Sequence, residues 1–161
     1  MTIKIGDAIP AATLAKATAD GPAPVTTDAL FGGRTVALFS VPGAFTPTCS
    51  ARHLPGFVDN ADEMKAKGID EIVCISVNDA FVMGAWGKSA NVGESITMVA
   101  DGNGDFSKAL GLTFDGSAYG MGLRGQRFSM IVKDGIVTQL NVEPPGAFGV
   151  SSAEHLMGQL A

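Results

Sequence analysis

Residues 35–50 read Thr-Val-Ala-Leu-Phe-Ser-Val-Pro-Gly-Ala-Phe-Thr-Pro-Thr-Cys-Ser, and this stretch decides the expected fold. Its first seven residues form an apolar run that is typical of a buried strand. The two prolines and the glycine that follow predict a tight, rigid loop. A helix is expected next, and three hydroxyl side chains are candidates for capping its first turn: Thr46, Thr48 and Ser50.

Cys49 is expected in or near the first turn of that helix. The free backbone N–H groups and the positive end of the helix dipole favour a thiolate there. Because the thiolate is the nucleophilic form of cysteine, the local sequence predicts an activated thiol at a junction between strand and helix. The alternative is an inert thiol buried in a proline-rich loop, which is common for free cysteines.

The composition indicates one globular domain over residues 1–161, with 46% hydrophobic and 17% charged residues. The formal net charge of −5 argues against nucleic acid or an anionic membrane as the main partner. No stretch approaches the ~20 apolar residues of a membrane span. The first residues lack the apolar core of a signal peptide, so we expect a cytoplasmic protein.

After the cysteine the pattern alternates, with helices expected over 51–67, 80–90 and 106–110, and strands over 69–77 and 96–99. Pro55-Gly56 interrupts the first helix and predicts a kink or two abutting helices. Asp134-Gly135 lies between two apolar runs, which predicts a hairpin of strands 128–132 and 136–142. A last helix is expected to end at Leu160, capped by Ser151 or Ser152.

The residues before the first core strand are expected to contain little regular structure. Residues 6–10 resemble an extended start, residues 11–23 are small and polar with a turn at 20–22, and 26–31 predict a short capped helix. Strands joined through helices imply parallel pairing, and the hairpin adds antiparallel pairs. We therefore expect an α/β protein with a mixed central sheet and helices on both faces.

The two cysteines, Cys49 and Cys74, are too far apart in sequence for a Cys-x-x-Cys motif and do not match a zinc site. In a reducing cytosol both should be thiols. Residues 101–105 have some likeness to a calcium loop, but they lack the length and the terminal glutamate of an EF-hand, which favours a simple turn. The sequence thus predicts no metal site.

The motif Pro42-x-x-x-Thr46-x-x-Cys49 resembles the active-site motif of peroxiredoxins, the thiol peroxidases. The match to the peroxiredoxin-5 subfamily, also called type II or atypical 2-Cys, continues through residues 53–57, 70–79, 127–130, 134–135 and 141–144. The resemblance implies a thioredoxin-like fold and the reduction of hydrogen peroxide and alkyl hydroperoxides. It also implies a homodimer packed through helix ends, and no metal or organic cofactor.

The resemblance further implies the roles of the site residues. Cys49 attacks one peroxide oxygen and becomes a sulfenic acid. Thr46 hydrogen-bonds the thiolate or the attacked oxygen, Arg127 supplies a fixed cation, and Pro42 shields the site. From the residues alone, a surface position is the more common one for an arginine such as Arg127, and Thr46 could be only a cap. His53, four residues after Cys49, permits a Cys–His pair like that of a cysteine hydrolase, but we assign it a structural role.

Cys74 is expected mid-strand, where a buried inert thiol is usual. Some members of the subfamily are proposed to use a cysteine at this position to resolve the sulfenic acid, and others use one in the loop after Pro144. Residues 145–152 contain no cysteine here. We therefore expect an external thiol as reductant, either glutathione with glutaredoxin or thioredoxin.

Two other functions remain open at this point. A thiol–disulfide oxidoreductase on the same fold is disfavoured because the Cys-x-x-Cys motif is missing. A peroxide sensor or holdase would use the same oxidation of Cys49, but only once per molecule. Kinetics over many turnovers distinguish this class from a peroxidase.

Overall fold

The structure, a computed structural model, describes residues 2–160, so the end residues of the expected domain, Met1 and Ala161, lie outside it. The strands within these residues are β1 (Thr13–Thr18), β2 (Gly21–Thr26), β3 (Thr35–Ser40), β4 (Glu71–Ser76), β5 (Thr97–Ala100), β6 (Thr113–Asp115), β7 (Leu123–Gly125), β8 (Phe128–Lys133) and β9 (Ile136–Val142). The α-helices are α1 (Thr27–Phe31), α2 (Leu54–Ala66), α3 (Ala80–Ser89), α4 (Asp105–Leu110) and α5 (Ala153–Gln159). A π-helical turn, Cys49–His53, precedes α2, and a 3₁₀ turn spans Ser117–Tyr119.

The central sheet has seven strands in the order β2-β1-β5-β4-β3-β8-β9. β3 pairs with β4 and β4 with β5 in parallel, because α2 and α3 carry the chain back across the sheet. The remaining pairs in this sheet are antiparallel. The prediction of a mixed sheet with helices between its parallel strands is therefore confirmed.

Helices cover both faces of the sheet, as the sequence predicts. One buried cluster joins side chains of α2, α3 and α5 to β3 and β4, and it contains Phe57 stacked on Phe39 with ring centroids 4.0 Å apart. A second buried cluster joins α1 and α4 to the opposite face. The loop that leads from β3 to Cys49, residues 41–48 (the cysteine loop), follows the carboxyl end of β3, and Cys49 belongs to the buried cluster on the α2 side.

The N-terminal region differs from the prediction. Residues 13–26 form a β-hairpin, β1–β2, which pairs through β1 with β5. These strands are rich in alanine and proline, with Pro22 and Pro24 in β2, so the sequence does not show the alternating apolar pattern of a strand. Proline is tolerated there since β2 is an edge strand of the sheet. A small antiparallel sheet, β6–β7, was also not predicted.

The interruption expected near Pro55 is present as a change of helix type. The wide π turn ends at His53, and α2 then begins with Pro55 in its first turn. The predicted capping of this turn is wrong, since Thr48 occupies the cap position without a side-chain hydrogen bond. The neighbouring hydroxyls have other partners: Thr46 donates to the carbonyl of Gly43, and Ser50 accepts from the Trp86 indole.

Other local signals are confirmed. Asp79 caps α3 and Ser152 caps α5 through side-chain hydrogen bonds. Asp134 and Gly135 adopt φ of 49° and 77° in the turn between β8 and β9, the left-handed conformation that a two-residue hairpin requires. Among residues 2–160, no helix is long and apolar enough to cross a membrane.

Candidate active site

The loop after β3 is held in place by polar contacts at its base. The backbone N–H of Ala44 donates to Asn78 Oδ1 at 2.9 Å, and Ser76 Oγ donates to the same oxygen at 2.6 Å. Gly43 is closely packed, because a Cβ there would lie 3.1 Å from Thr46 Cγ2. These contacts fix the path of the chain from β3 to the cysteine.

Cys49 is the first residue of the π-helical turn, and its side chain is completely buried. The carbonyl of Cys49 accepts a hydrogen bond from the N–H of Leu54, five residues later. π-helical turns are rare and frequently occur at functional sites. The thiol therefore sits at an irregular start of the helix.

Arg127 directly contacts the thiol. Its Nη2 donates to Cys49 Sγ at 3.0 Å, and its Nη1 lies 2.8 Å from His53 Nδ1. The pairing of β3 with β8 brings these residues together, because Ser40 at the end of β3 lies opposite Phe128 at the start of β8. Arg127, just before β8, is thereby placed beside the loop that follows β3.

His53 belongs to the same site, although the sequence had suggested only a structural role. Its ring is fully buried, and Nε2 lies 2.9 Å from the carbonyl oxygen of Ser151. Burial and the neighbouring Arg127 cation lower the pKa of His53 from 6.5 to about 3, against weaker opposing effects of Ser151 and Glu143. The ring is therefore neutral at pH 7. Its position one turn after Cys49 was the signal that could have identified it.

The loop between β9 and α5, residues 143–152 (the C-terminal loop), closes the site from the other side. The Phe148 ring packs against His53 with centroids 5.0 Å apart and lies 5.7 Å from the guanidinium carbon of Arg127. The carboxylate of Glu143 anchors this loop by accepting from the N–H of Gly149, the N–H of Ser151 and the hydroxyl of Ser151. Neither Phe148 nor Glu143 was singled out from the sequence, since neither lies near Cys49 in the chain.

Thr46 and Pro42 lie on the same loop but are not hydrogen-bonded to the thiol. Thr46 Oγ1 donates to the carbonyl of Gly43 at 2.7 Å, which leaves its oxygen lone pairs available as acceptors. Pro42 is half-buried at the start of the loop. Their predicted roles toward peroxide stay predictions.

Cys74 lies in the middle of β4, opposite Phe39 of β3, and is also completely buried. Burial, and then the negative charge of a Cys49 thiolate, raise the pKa of the Cys74 thiol well above its usual range; Arg127 opposes this only in part. Both cysteines are free thiols. Cys74 is thus expected to stay protonated.

The arrangement suits attack by sulfur on an electrophilic oxygen. A guanidinium that donates to the sulfur stabilises a thiolate, and the same cation can stabilise negative charge that develops on a leaving oxygen. No cluster of three or more His, Cys, Asp or Glu side chains suited to a metal ion occurs in residues 2–160.

Comparison with known proteins connects this geometry to an activity. The family model described as Redoxin matches residues 4–157. The chain is 48% identical to peroxiredoxin-2E-2 of Oryza sativa, a chloroplastic protein, over 99% of this chain and 73% of that one. It is 45% identical to peroxiredoxin-2B of Arabidopsis thaliana over 98% of both chains. The crystal structure of reduced Prx3 from Vibrio vulnificus in complex with H2O2 superimposes with a TM-score of 0.95, at 51% identity over 99% of this chain and 100% of that one.

Proposed function

We propose a catalytic mechanism from the premise that this chain belongs to the redoxin family and is a peroxiredoxin with a thioredoxin-like fold, a thiol-dependent peroxidase. The substrate is a peroxide and the reductant is a thiol. We assign the peroxidatic thiol to Cys49. The observation that supports this assignment is the hydrogen bond of 3.0 Å from Arg127 Nη2 to its buried sulfur.

In the first step the Cys49 thiolate attacks one oxygen of the peroxide. An S–O bond forms and the O–O bond breaks, so that sulfur is oxidised to sulfenic acid and the peroxide is reduced. The leaving oxygen departs as hydroxide or alkoxide and is released as water or alcohol after it takes up a proton. Arg127 is proposed to stabilise both the thiolate and the charge that develops on the oxygens.

Thr46 and Pro42 are proposed to bind and enclose the peroxide. Because Thr46 donates its hydroxyl proton to Gly43, its oxygen is free to accept the proton of a bound hydroperoxide. That contact would orient the O–O bond toward the sulfur. Pro42, half-buried beside the loop, is proposed to exclude water from the site.

We propose that an external thiol reduces the sulfenic acid. The thiol attacks the sulfur of the sulfenic acid and releases water, and a second thiol then cleaves the mixed disulfide and restores Cys49. Glutathione with glutaredoxin, or thioredoxin, would supply these thiols. Cys74 is a poor resolving thiol, because burial in mid-strand keeps it protonated and a disulfide needs Cα atoms roughly 4.4–6.8 Å apart in suitable orientation. Cys49 is buried too, so we propose that the π turn opens during resolution.

The quaternary structure and location are also proposals. We propose a homodimer formed through helix ends, which the exposure of two aromatic side chains supports: Phe81 in the first turn of α3 is 73% exposed, and Phe45 in the cysteine loop is 53% exposed. The chain is proposed to act in the cytoplasm as one domain. Light scattering of the wild type and of Phe81→Glu tests the dimer. If both proteins have the mass of a monomer, the proposal is contradicted.

Peroxide consumption by the purified protein tests the assignment of Cys49. Cys49→Ser should lose peroxidase turnover, whereas its matched control Cys74→Ser should keep most of it. Many turnovers per molecule also distinguish a peroxidase from a peroxide sensor. Near-normal turnover of Cys49→Ser would refute the assignment.

The reductant is tested separately, by comparing glutathione and glutaredoxin with thioredoxin as the electron source. One equivalent of peroxide followed by glutathione should add one glutathione to Cys49, as seen by mass spectrometry. A stoichiometric disulfide between Cys49 and Cys74 within one chain, formed as fast as peroxide is consumed, would show that resolution is internal.

A further inference from the structure

We infer that Glu143 is a positioning residue for peroxide reduction, which acts on Arg127 through Ser151 and His53. The inference rests on the proposed role of Arg127 at the Cys49 sulfur. Glu143 touches neither the thiol nor the guanidinium. It is connected to them through the backbone of Ser151, which contacts Glu143 at its N–H and His53 at its carbonyl, and through the His53 ring, which contacts Arg127.

The first link is the anchoring of the C-terminal loop. One oxygen of Glu143, a residue only 6% exposed, accepts from the N–H of Gly149 at 2.7 Å, the N–H of Ser151 at 2.7 Å and the hydroxyl of Ser151 at 2.6 Å. Burial raises the pKa of Glu143, but these three hydrogen bonds, with a smaller contribution from His53, outweigh it and bring the pKa below the ordinary value. An ionised carboxylate makes stronger hydrogen bonds than a neutral group, so Ser151 is firmly held at its N–H and its hydroxyl, directly beside its carbonyl.

The second link fixes the tautomer of His53. The carbonyl of Ser151 can only accept a hydrogen bond, and it lies 2.9 Å from His53 Nε2. The proton of the neutral ring must therefore be on Nε2. Nδ1 is left with a lone pair, and this lone pair faces Arg127 Nη1 at 2.8 Å.

The third link is the orientation of the guanidinium. Arg127 uses Nη1 toward His53 and Nη2 toward Cys49 Sγ, so the planar fork is fixed by two contacts on one side. If His53 carried its proton on Nδ1, two N–H groups would face each other and Arg127 would be pushed from the sulfur. The position of the Ser151 carbonyl thus determines whether Arg127 can donate a hydrogen bond to the Cys49 sulfur.

A structural role for Glu143 alone would be limited to holding the loop, and it would predict lower stability with unchanged chemistry. The positioning role predicts in addition a change in the His53 ring and in the oxidation rate of Cys49. These two readouts are independent of each other, because the first needs no peroxide.

The central test compares Glu143→Gln with Glu154→Gln, which removes an exposed carboxylate from the first turn of α5. Single-turnover oxidation of Cys49 by hydrogen peroxide should slow about tenfold in Glu143→Gln, since charge-assisted hydrogen bonds are lost. Glu154→Gln should match the wild type. Long-range ¹H–¹⁵N NMR should show His53 as the pure Nε2–H tautomer in wild type and as a mixture in Glu143→Gln.

A pair of substitutions at His53 keeps the inference testable if Glu143→Gln fails to fold. The side-chain oxygen of asparagine can occupy the place of Nδ1, whereas glutamine reaches the place of Nε2. His53→Asn should therefore retain a faster oxidation of Cys49 than His53→Gln, because it preserves the acceptor for Arg127. Equal rates in the two variants would overturn the inference.

A double variant distinguishes this inference from the proposed function. If Glu143 acts through Arg127, Glu143→Gln should slow an Arg127→Gln protein no further, even though it slows the wild type. An unchanged oxidation rate and unchanged His53 tautomer in Glu143→Gln, with Cys49→Ser inactive, would overturn the positioning role alone. Activity in Cys49→Ser would instead overturn the proposed function, while the NMR result would still report on the hydrogen-bond series.

Discussion

His53 makes the stability of the folded chain depend on pH in a range where most other side chains do not titrate. Its pKa is 6.5 in an unfolded chain and about 3 in the structure, because burial and Arg127 disfavour the imidazolium. Between these values the unfolded state binds the additional proton. The free energy of unfolding should therefore fall as the pH is lowered through 6.5, and this loss should end only near the folded pKa.

The expected magnitude follows from proton linkage. Each pH unit inside this range costs about 1.4 kcal/mol, and the change from pH 7 to pH 5 costs about 2 kcal/mol after the partial titration near 6.5 is included. Glu143 does not contribute in this interval, since its lowered pKa places its own loss of stability at a pH below the ordinary glutamate value of 4.5. The effect thus belongs to one side chain.

Urea unfolding at pH 7, 6 and 5 measures this loss, with His53→Asn as the reference protein. The wild type should lose about 2 kcal/mol more than the variant over this interval. The other histidine, His155, is exposed and present in both proteins, so its contribution cancels in the comparison. If both proteins lose stability in parallel, within about 0.5 kcal/mol, His53 is protonated in the folded chain and the assigned tautomer is wrong.

Four further predictions concern Arg127 and Thr46 at the site, the buried Cys74 thiol and the core. Arg127→Gln should slow the oxidation of Cys49 about 10²–10³-fold in stopped-flow single turnovers, without loss of the cooperative melting transition; an unchanged rate would remove Arg127 from the mechanism. Thr46→Val should also slow this step while Thr46→Ser should not, and equal rates in the two would show that the hydroxyl has no role. Cys74 should react with iodoacetamide only after unfolding, because burial keeps it protonated, and rapid labelling of the native protein would contradict this. Phe57→Ala should lower the free energy of unfolding by about 3–5 kcal/mol, measured in urea, since its fully buried ring stacks on Phe39.

The parts of the fold with strong local signals could be predicted from the sequence. The apolar run of β3 and the Asp134-Gly135 turn specify their conformations through nearby residues, so the core strands and the β8–β9 hairpin were predicted with nearly the observed bounds. The sequence pattern does not predict the β1–β2 hairpin, because alanine and proline carry little β-propensity and its pairing with β5 depends on residues 83 to 85 positions away.

The candidate site, like the fold, could be predicted from the sequence only in part. The motif around Cys49 identifies the thiol, but the contacts of Arg127 with Cys49 and His53 join residues 78 and 74 positions apart. Their proximity depends on the antiparallel register of β3 and β8, which the sequence pattern does not specify. The π turn was also not predictable, since apolar spacing over five residues does not distinguish it from an α-helical turn.

Burial alone does not determine which cysteine of this protein is reactive. Cys49 and Cys74 are both completely buried and belong to the same apolar cluster. Cys74 lies in mid-strand, where the adjacent backbone groups are paired within the sheet and no side-chain donor reaches its sulfur among the described hydrogen bonds. Cys49 lies at a helix start and receives an N–H of Arg127. We propose that this single charged donor, held by a histidine whose tautomer the C-terminal loop fixes, makes one buried thiol a nucleophile and leaves the other inert.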